Sequence, residues 1–295
     1  MVLFGACGLG LAQSRPTRIT VLDFGTTLTG LHASAEIRET FHSKEGSQSG
    51  REFELIDPDQ TRAAARGAGF EGSLNLTLQQ ARDLGAAIGS DFYFIGEAQT
   101  VRRFPSTKPI YFESYATIFL VSTRTGRLVL WERPTVQRDS PEEAEKGLLA
   151  ILSAEETRHR FVVALRRAQE DERAERVAAI ESNPAVIEMM SDDDSDTNKD
   201  VRAPRPYRRL KPPYPQTAAI AEVEATVDVL LDIDARGEIG RVEITRWAGY
   251  GLDQSVIDTV KQMHFFPAMR DGVAIPLRVL LRYNFRKPPV PNRSQ

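Results

Sequence analysis

The sequence predicts a mixed α/β unit followed, across a charged helix and linker, by a small α+β unit whose antiparallel sheet packs on one helix. Three observations carry that expectation. Between residues 18 and 96, apolar strands and helical periods follow the order strand, helix, strand, helix, helix, strand, an α/β arrangement. From Arg166 to Asp200 charge displaces apolar periodicity. From Glu224 on, the order is alternating strand, glycine turn, strand, helix, strand. A chain of 295 residues with 41% hydrophobic and 27% charged side chains suits two cores better than one.

The elements of the first unit follow from local chemistry. Ile19, Val21, Leu22 and Phe24 mark a buried strand over 18–25, and Leu28, Leu31, Ala35 and Ile37 give 27–43 a helical face. A Gly/Ser loop at 46–50 leads to a short strand at Phe53–Ile56. Asp57-Pro58 supplies an N-cap and a first-turn proline for a helix over 58–68. Residues 77–88 carry Leu78, Ala81, Leu84 and Ala87 on one face, and 91–96 return as a strand. A hairpin joins 111–122 to 127–133 through Thr123-Arg124-Thr125-Gly126. Ser140-Pro141-Glu142-Glu143 starts a helix that runs to about Ile180 with a break near Ser153.

Alternating charge over Arg166–Arg176 supports a solvated or supporting helix through i to i+4 pairs. Residues 191–200 carry too little apolar surface to order themselves and read as a linker. They lack the Gly at the sixth position and the Glu at the twelfth that a calcium loop needs. Pro204, Pro206, Pro212, Pro213 and Pro215 stiffen the approach to the second unit.

In that second unit Val227, Val229, Leu231 and Ile233 share one face by the two-residue period of a strand. Gly237 turns the chain into a return strand, Ile239–Arg246. Asp253 is expected to cap a helix bearing Val256, Ile257, Val260 and Met263. Asp271-Gly272 then turns into a last strand over 275–285 with Val279, Leu281, Tyr283 and Phe285 in phase.

Composition narrows the function classes. A formal charge of −3, from 38 basic and 41 acidic side chains, provides no field for nucleic acid. The single Cys7 excludes an intramolecular disulfide and a Cys-rich zinc site. His32, His42, His159 and His264 form no metal or catalytic spacing, and Glu142-Glu143 and Glu155-Glu156 read as solvated helix carboxylates. Asp23-Phe24-Gly25 spells a kinase magnesium motif without the glycine-rich loop or catalytic loop that would accompany it. No catalytic, cofactor or metal site is therefore expected, nor a small-molecule substrate. At the start, apolar Met1–Leu11 followed by Ala12-Gln13-Ser14 resembles the end of a secretory signal cleaved after Ala12. Phe4-Gly5-Ala6-Cys7 also resembles a lipobox that would lipidate Cys7, and a buried strand is the third reading.

Taken in order, Tyr214-Pro215, the strand ending at Asp232-Ile233-Asp234, the glycine turn, Gly251-Leu252-Asp253, the helix, Phe266-Pro267-Ala268 and Asp271-Gly272 resemble the TonB C-terminal domain over about 206–286. The resemblance implies a periplasmic protein without enzymatic activity, docked to an outer-membrane receptor or other envelope partner, in the family's case during energy-dependent transport. It also implies that the last strand receives an extended partner segment, which assigns Leu277, Arg278, Val279, Leu280, Leu281, Arg282 and Tyr283 to the docking edge. Arg278 and Arg282 then either meet an acidic peptide or only solubilise the edge, and a homodimer through the same strand is the alternative use. The chain departs from the family in having Ala225 for a glycine, Met263 where a helix-end tryptophan stands, and no long proline-rich spacer.

More weakly, Ile19–Gly25, Phe53–Asp57 and Leu84–Phe92 are similar to the envelope α/β domains of CsgG, of penicillin-binding-protein activators and of the TolB N-terminus. The expected organisation is a signal-like segment at 1–17, an α/β domain at 18–165, helix and linker at 166–205, the TonB-like domain at 206–286 and a disordered tail at 287–295.

Overall fold

The computed structural model describes residues 15–42, 52–104, 109–181, 188–189 and 201–287. The segment with Cys7, the acidic run 191–200 and most of the tail lie outside the described residues. The first unit comprises β1 (Thr17–Val21), α1 (Leu28–His42), β2 (Phe53–Leu55), α2 (Pro58–Gly67), α3 (Leu78–Ile88), β3 (Phe92–Arg103), β4 (Tyr111–Ser122), β5 (Leu128–Glu132), β6 (Thr135–Arg138), α4 (Pro141–Leu152) and α5 (Glu155–Glu181). Its sheet runs β2-β1-β3-β4-β5, with β6 also on β4; β1 is parallel to β2 and β3, and the rest is antiparallel.

Alternation along the central strands explains why both faces are covered. Phe92, Phe94, Ile118 and Leu120 point to one side, where Ile37 of α1, Leu148 and Leu152 of α4 and Phe161 and Leu165 of α5 close over them. Tyr93, Ile95, Phe119 and Val121 point to the other, which α2 and α3 cover only in part. Helix starts follow the sequence chemistry. Asp57 accepts from the N–H groups of Asp59 and Gln60, Thr77 and Gln80 form a reciprocal capping box, and Ser140 accepts from Glu143 N–H at 3.2 Å. Ser140→Ala is expected to cost ~1 kcal/mol of stability, read by chemical denaturation.

Two expectations are refined. The strand predicted at 91–96 extends as β3 to Arg103, because all twelve of its residues find partners on β4. The charged helix breaks at Ser153 as expected, and its second half packs on the sheet. Arg166 is paired bidentately with Glu52 at 2.7 and 2.8 Å, which lowers the Glu52 carboxyl pKa, and Arg124 is paired with Glu172 at 2.6 Å.

The second unit comprises β7 (Glu188–Met189), β8 (Val201–Arg202), β9 (Arg205–Pro206), α6 (Gln216–Ile220), β10 (Ala225–Ile233), β11 (Ile239–Arg246), α7 (Leu252–Val260), β12 (Phe265–Phe266), β13 (Ala268–Arg270), β14 (Val273–Ile275) and β15 (Leu277–Phe285). Its main sheet runs β11-β10-β15-β7, with α7 packed on β10 and β11. Val227, Val229, Leu231 and Ile233 are buried as the two-residue period requires. Pro276 divides the predicted last strand into β14 and β15. Met263 is buried just beyond the end of α7 rather than within it.

The two units share one hydrophobic core. Residues of β3, β4 and α3 join Val229, Trp247, Tyr250, Val256 and Phe265 in a continuous cluster. The face of β4 that α2 and α3 leave open is closed by the second unit.

Candidate docking edge and interdomain seam

The seam is built by five residues, Trp247-Ala248-Gly249-Tyr250-Gly251, between β11 and α7. Trp247 is 2% exposed; its indole N–H donates to Gly126 O at 3.0 Å and its ring lies 5.5 Å from that of Phe119. Tyr250 packs on Trp131 at 5.0 Å and its hydroxyl lies 3.3 Å from Thr117 Oγ1. Gly249 has φ of 72°, and a Cβ there would stand 2.6 Å from the Phe119 ring and 2.8 Å from Trp131. Only glycine satisfies both the backbone and the space.

Asn75 completes the join, donating to Thr226 O at 2.9 Å and Trp247 O at 2.7 Å while accepting from Thr226 N–H at 3.2 Å. Asp253 is not the expected helix cap; Gly251 takes that position in a left-handed conformation. The buried Asp253 carboxylate accepts instead from the N–H groups of Ala248 and Gly249, at 2.8 and 2.7 Å. Burial pushes its pKa up to about 6, against the lowering effect of those two hydrogen bonds.

The predicted docking strand is β15. It pairs with β10 along its whole length, Ala225 with Phe285 through Ile233 with Leu277. On the opposite side β7 runs parallel beside Leu277 and Arg278 only. Among the described residues no strand pairs with Val279–Phe285 on that side. Val279, Leu281 and Tyr283 turn toward the core, while Leu280 is 46% exposed.

Arg278 and Arg282 are not held ready for an acidic peptide. Arg278 grips Asp232 at 2.5 and 2.8 Å, and Arg282 grips Asp228 at 2.7 and 3.1 Å. Arg246 reaches the same Asp228 at 3.1 Å. Each pair is directly opposite in the register or nearly so, which makes the pairing a property of the sheet. Burial works to raise the Asp228 carboxyl pKa, and the hydrogen bonds and charges of Arg282 and Arg246 outweigh it and hold the pKa below the usual range. The pairing of Arg278 and Arg282 was not foreseen, because strand register cannot be read from one strand alone.

His32 contacts Glu145 at 2.9 Å, and His264 lies 3.7 Å from Glu238. Among the described residues no group of three or more His, Cys, Asp or Glu is placed to hold a metal, and no helix is long and apolar enough to cross a membrane. Asp23 accepts from Arg38 at 2.6 Å, at the end of a buried strand.

The second unit is a four-stranded sheet, β11-β10-β15-β7, with α7 packed across it. Residues 211–286 match the family model of the Gram-negative bacterial TonB protein C-terminal, and this part of the chain is a TonB C-terminal domain. Among solved structures, the chain is similar to the TonB C-terminal domain of Pseudomonas aeruginosa, at 20% identity over 37% of this chain and 100% of that chain, TM-score 0.27. It is also similar to the LpoB C-terminal domain from Salmonella enterica, at 16% identity over 41% and 83% of the two chains, TM-score 0.28. A lipoprotein from Neisseria meningitidis matches at 14% identity over 46% and 92%, TM-score 0.32. Comparison with curated proteins finds no match.

Proposed function

We propose that the protein is a periplasmic adaptor that binds an extended segment of an outer-membrane or other envelope protein by adding it as a strand to β15. The single observation that supports this most is that, among the described residues, no strand pairs with the outer side of Val279–Phe285 in a region that matches the TonB C-terminal model. Main-chain hydrogen bonds would supply affinity there. Because Arg278 and Arg282 are already paired across to β10, sequence preference would come from packing on exposed Leu280 and its neighbours rather than from a charge match. The N-terminal unit serves as the rigid body on which the docking sheet is fixed. The reading concerns docking and does not require catalysis or energy transduction.

The test uses extended peptides selected on the full chain from a displayed library, with Val279→Pro and Leu280→Pro as variants. Successive residues of a strand turn their N–H groups to opposite sides, so one variant removes a bond to β10 and the other an N–H on the outer border. The border variant is expected to keep its circular dichroism spectrum and lose peptide binding at least tenfold. Undiminished binding by both variants would refute the reading. The same border would also support a homodimer, and sedimentation of the full chain separates the two uses, since a stable dimer would occupy the edge before any peptide arrives.

A further inference from the structure

The first unit contains a crevice that the docking reading leaves unused. β1 connects through α1 to β2 on its one side, whereas the chain reaches β3, on its other side, through α2 and α3. Ile37 of α1 packs on one face of the sheet, and Ala65 of α2 with Leu84 of α3 on the other. From β1 the chain leaves over one face of the sheet, and it enters β3 from the other, before β3 runs on into antiparallel β4. The carboxyl end of β1 is thus left beside the middle of β3, and the carboxyl end of a parallel strand is where open α/β sheets take ligands.

A cavity of about 970 Å³ occupies this place, bounded by Leu22 and Asp23 after β1 and by Ile95 and Glu97 on β3. Phe70 and Leu74 form an apolar wall, and the second unit supplies the facing wall with Val223 and Tyr250. The volume falls at the upper end of small-ligand sites, which are mostly apolar with a few convergent polar groups and lie preferentially between domains.

The polar groups of this cavity differ in one respect. Asp23 is neutralised by Arg38 at 2.6 Å and approached by Arg62 at 3.4 Å. Glu97 projects from the same face as Tyr93 and Ile95, opposite Thr117 in the register. Its carboxylate makes no ion pair or side-chain hydrogen bond among the described residues. A half-buried carboxylate without an ion-pair partner among the described residues, in a cavity lined also by Arg62, Arg66, Glu71, Glu222 and Glu224, stabilises a cation that enters beside it.

We propose that this crevice binds a cationic group carried on an apolar body, its ammonium or guanidinium on Glu97 and its apolar part against Phe70 and Leu74. Both a small aryl-alkyl amine and a lysine or arginine side chain of a peptide have this chemistry. Because the facing wall comes from the second unit, an occupant would also hold the two units together.

Calorimetric titration of the full chain tests this with phenethylamine and N-acetyl-Phe-Lys-amide, against the anionic counterparts phenylacetate and N-acetyl-Phe-Glu-amide. At least one cationic probe is expected to bind about tenfold or more tightly than its anionic counterpart. Glu97→Gln should remove that preference while leaving the thermal midpoint and the binding of β15-directed peptides unchanged. Phe70→Ala should weaken the cationic probe without altering the charge preference. Binding of phenethylamine alone assigns the site to small amines, and binding of the dipeptide alone assigns it to peptide side chains. Equal binding of the anionic probes, no binding of either cation, or a charge preference that survives in Glu97→Gln would overturn the proposal. None of these outcomes bears on the β15 border, whose peptides are scored separately.

Discussion

Replacing Trp247 by alanine is expected to lower stability by about 3 to 5 kcal/mol, the range for truncating a large buried aromatic. Trp247, together with Tyr250, enters the core of the first unit. Its loss opens a cavity against Phe119 and leaves Gly126 O without its indole donor. The wild-type chain, with one core common to both units, should unfold in a single cooperative transition in urea. The variant should show two, because the sheet of each unit keeps its internal pairing while the seam between them fails. Tryptophan and tyrosine fluorescence followed beside far-ultraviolet circular dichroism makes the check. Coincident transitions with a midpoint near the wild type would mean that the seam contributes little.

The second large effect is expected from Asp253. Its pKa is raised from 3.8 to about 6 in the folded protein, so between these values the native state binds a proton that the unfolded state has lost. Stability from this group is therefore fully present below pH 3.8 and is lost as pH rises through about 6. The loss is on the order of 3 kcal/mol. Asp228 and Glu52, whose pKa values are lowered, act in the opposite sense at more acid pH, so the comparison must be made against a variant. Asp253→Asn has no proton to lose. Its stability difference from the wild type should change by that amount between pH 3.5 and pH 7, and an unchanged difference would mean that burial does not govern Asp253.

Much of the fold was legible because local chemistry and tertiary demand agreed. Asp57-Pro58 and Ser140-Pro141 announce helix starts that the structure keeps. The alternation at Val227, Val229, Leu231 and Ile233 required a strand with one buried face. Where distant partners decide, local reading failed. Asp253 is a capping type of residue near the start of α7, yet it sits inside the helix behind Gly251 and its acceptors are used on the loop that enters the first unit. Arg278 and Arg282 stand on an outer face, and only the register with β10 reveals their carboxylates.

Trp247 lies just past the predicted return strand Ile239–Arg246, where no local pattern marks it as a residue of the seam. One signal did point to the seam: β4 carries apolar residues at both parities, Ile118, Phe119, Leu120 and Val121, which demands cover on both faces. The helices of the first unit supply that cover on one face and part of the other. The assignment of β15 as a docking edge rests on its likeness to a family, and the partial cover by β7 had no sequence signal, since two residues carry no period.

Amide hydrogen exchange of the full chain, measured with and without a bound extended peptide, tests the docking edge most directly. Strand addition predicts that the outward N–H groups within Val279–Phe285 exchange freely in the unbound protein and are slowed on binding, with β11 at the far edge of the sheet unaffected. Protection confined to β11, to α7 or to the first unit would contradict it.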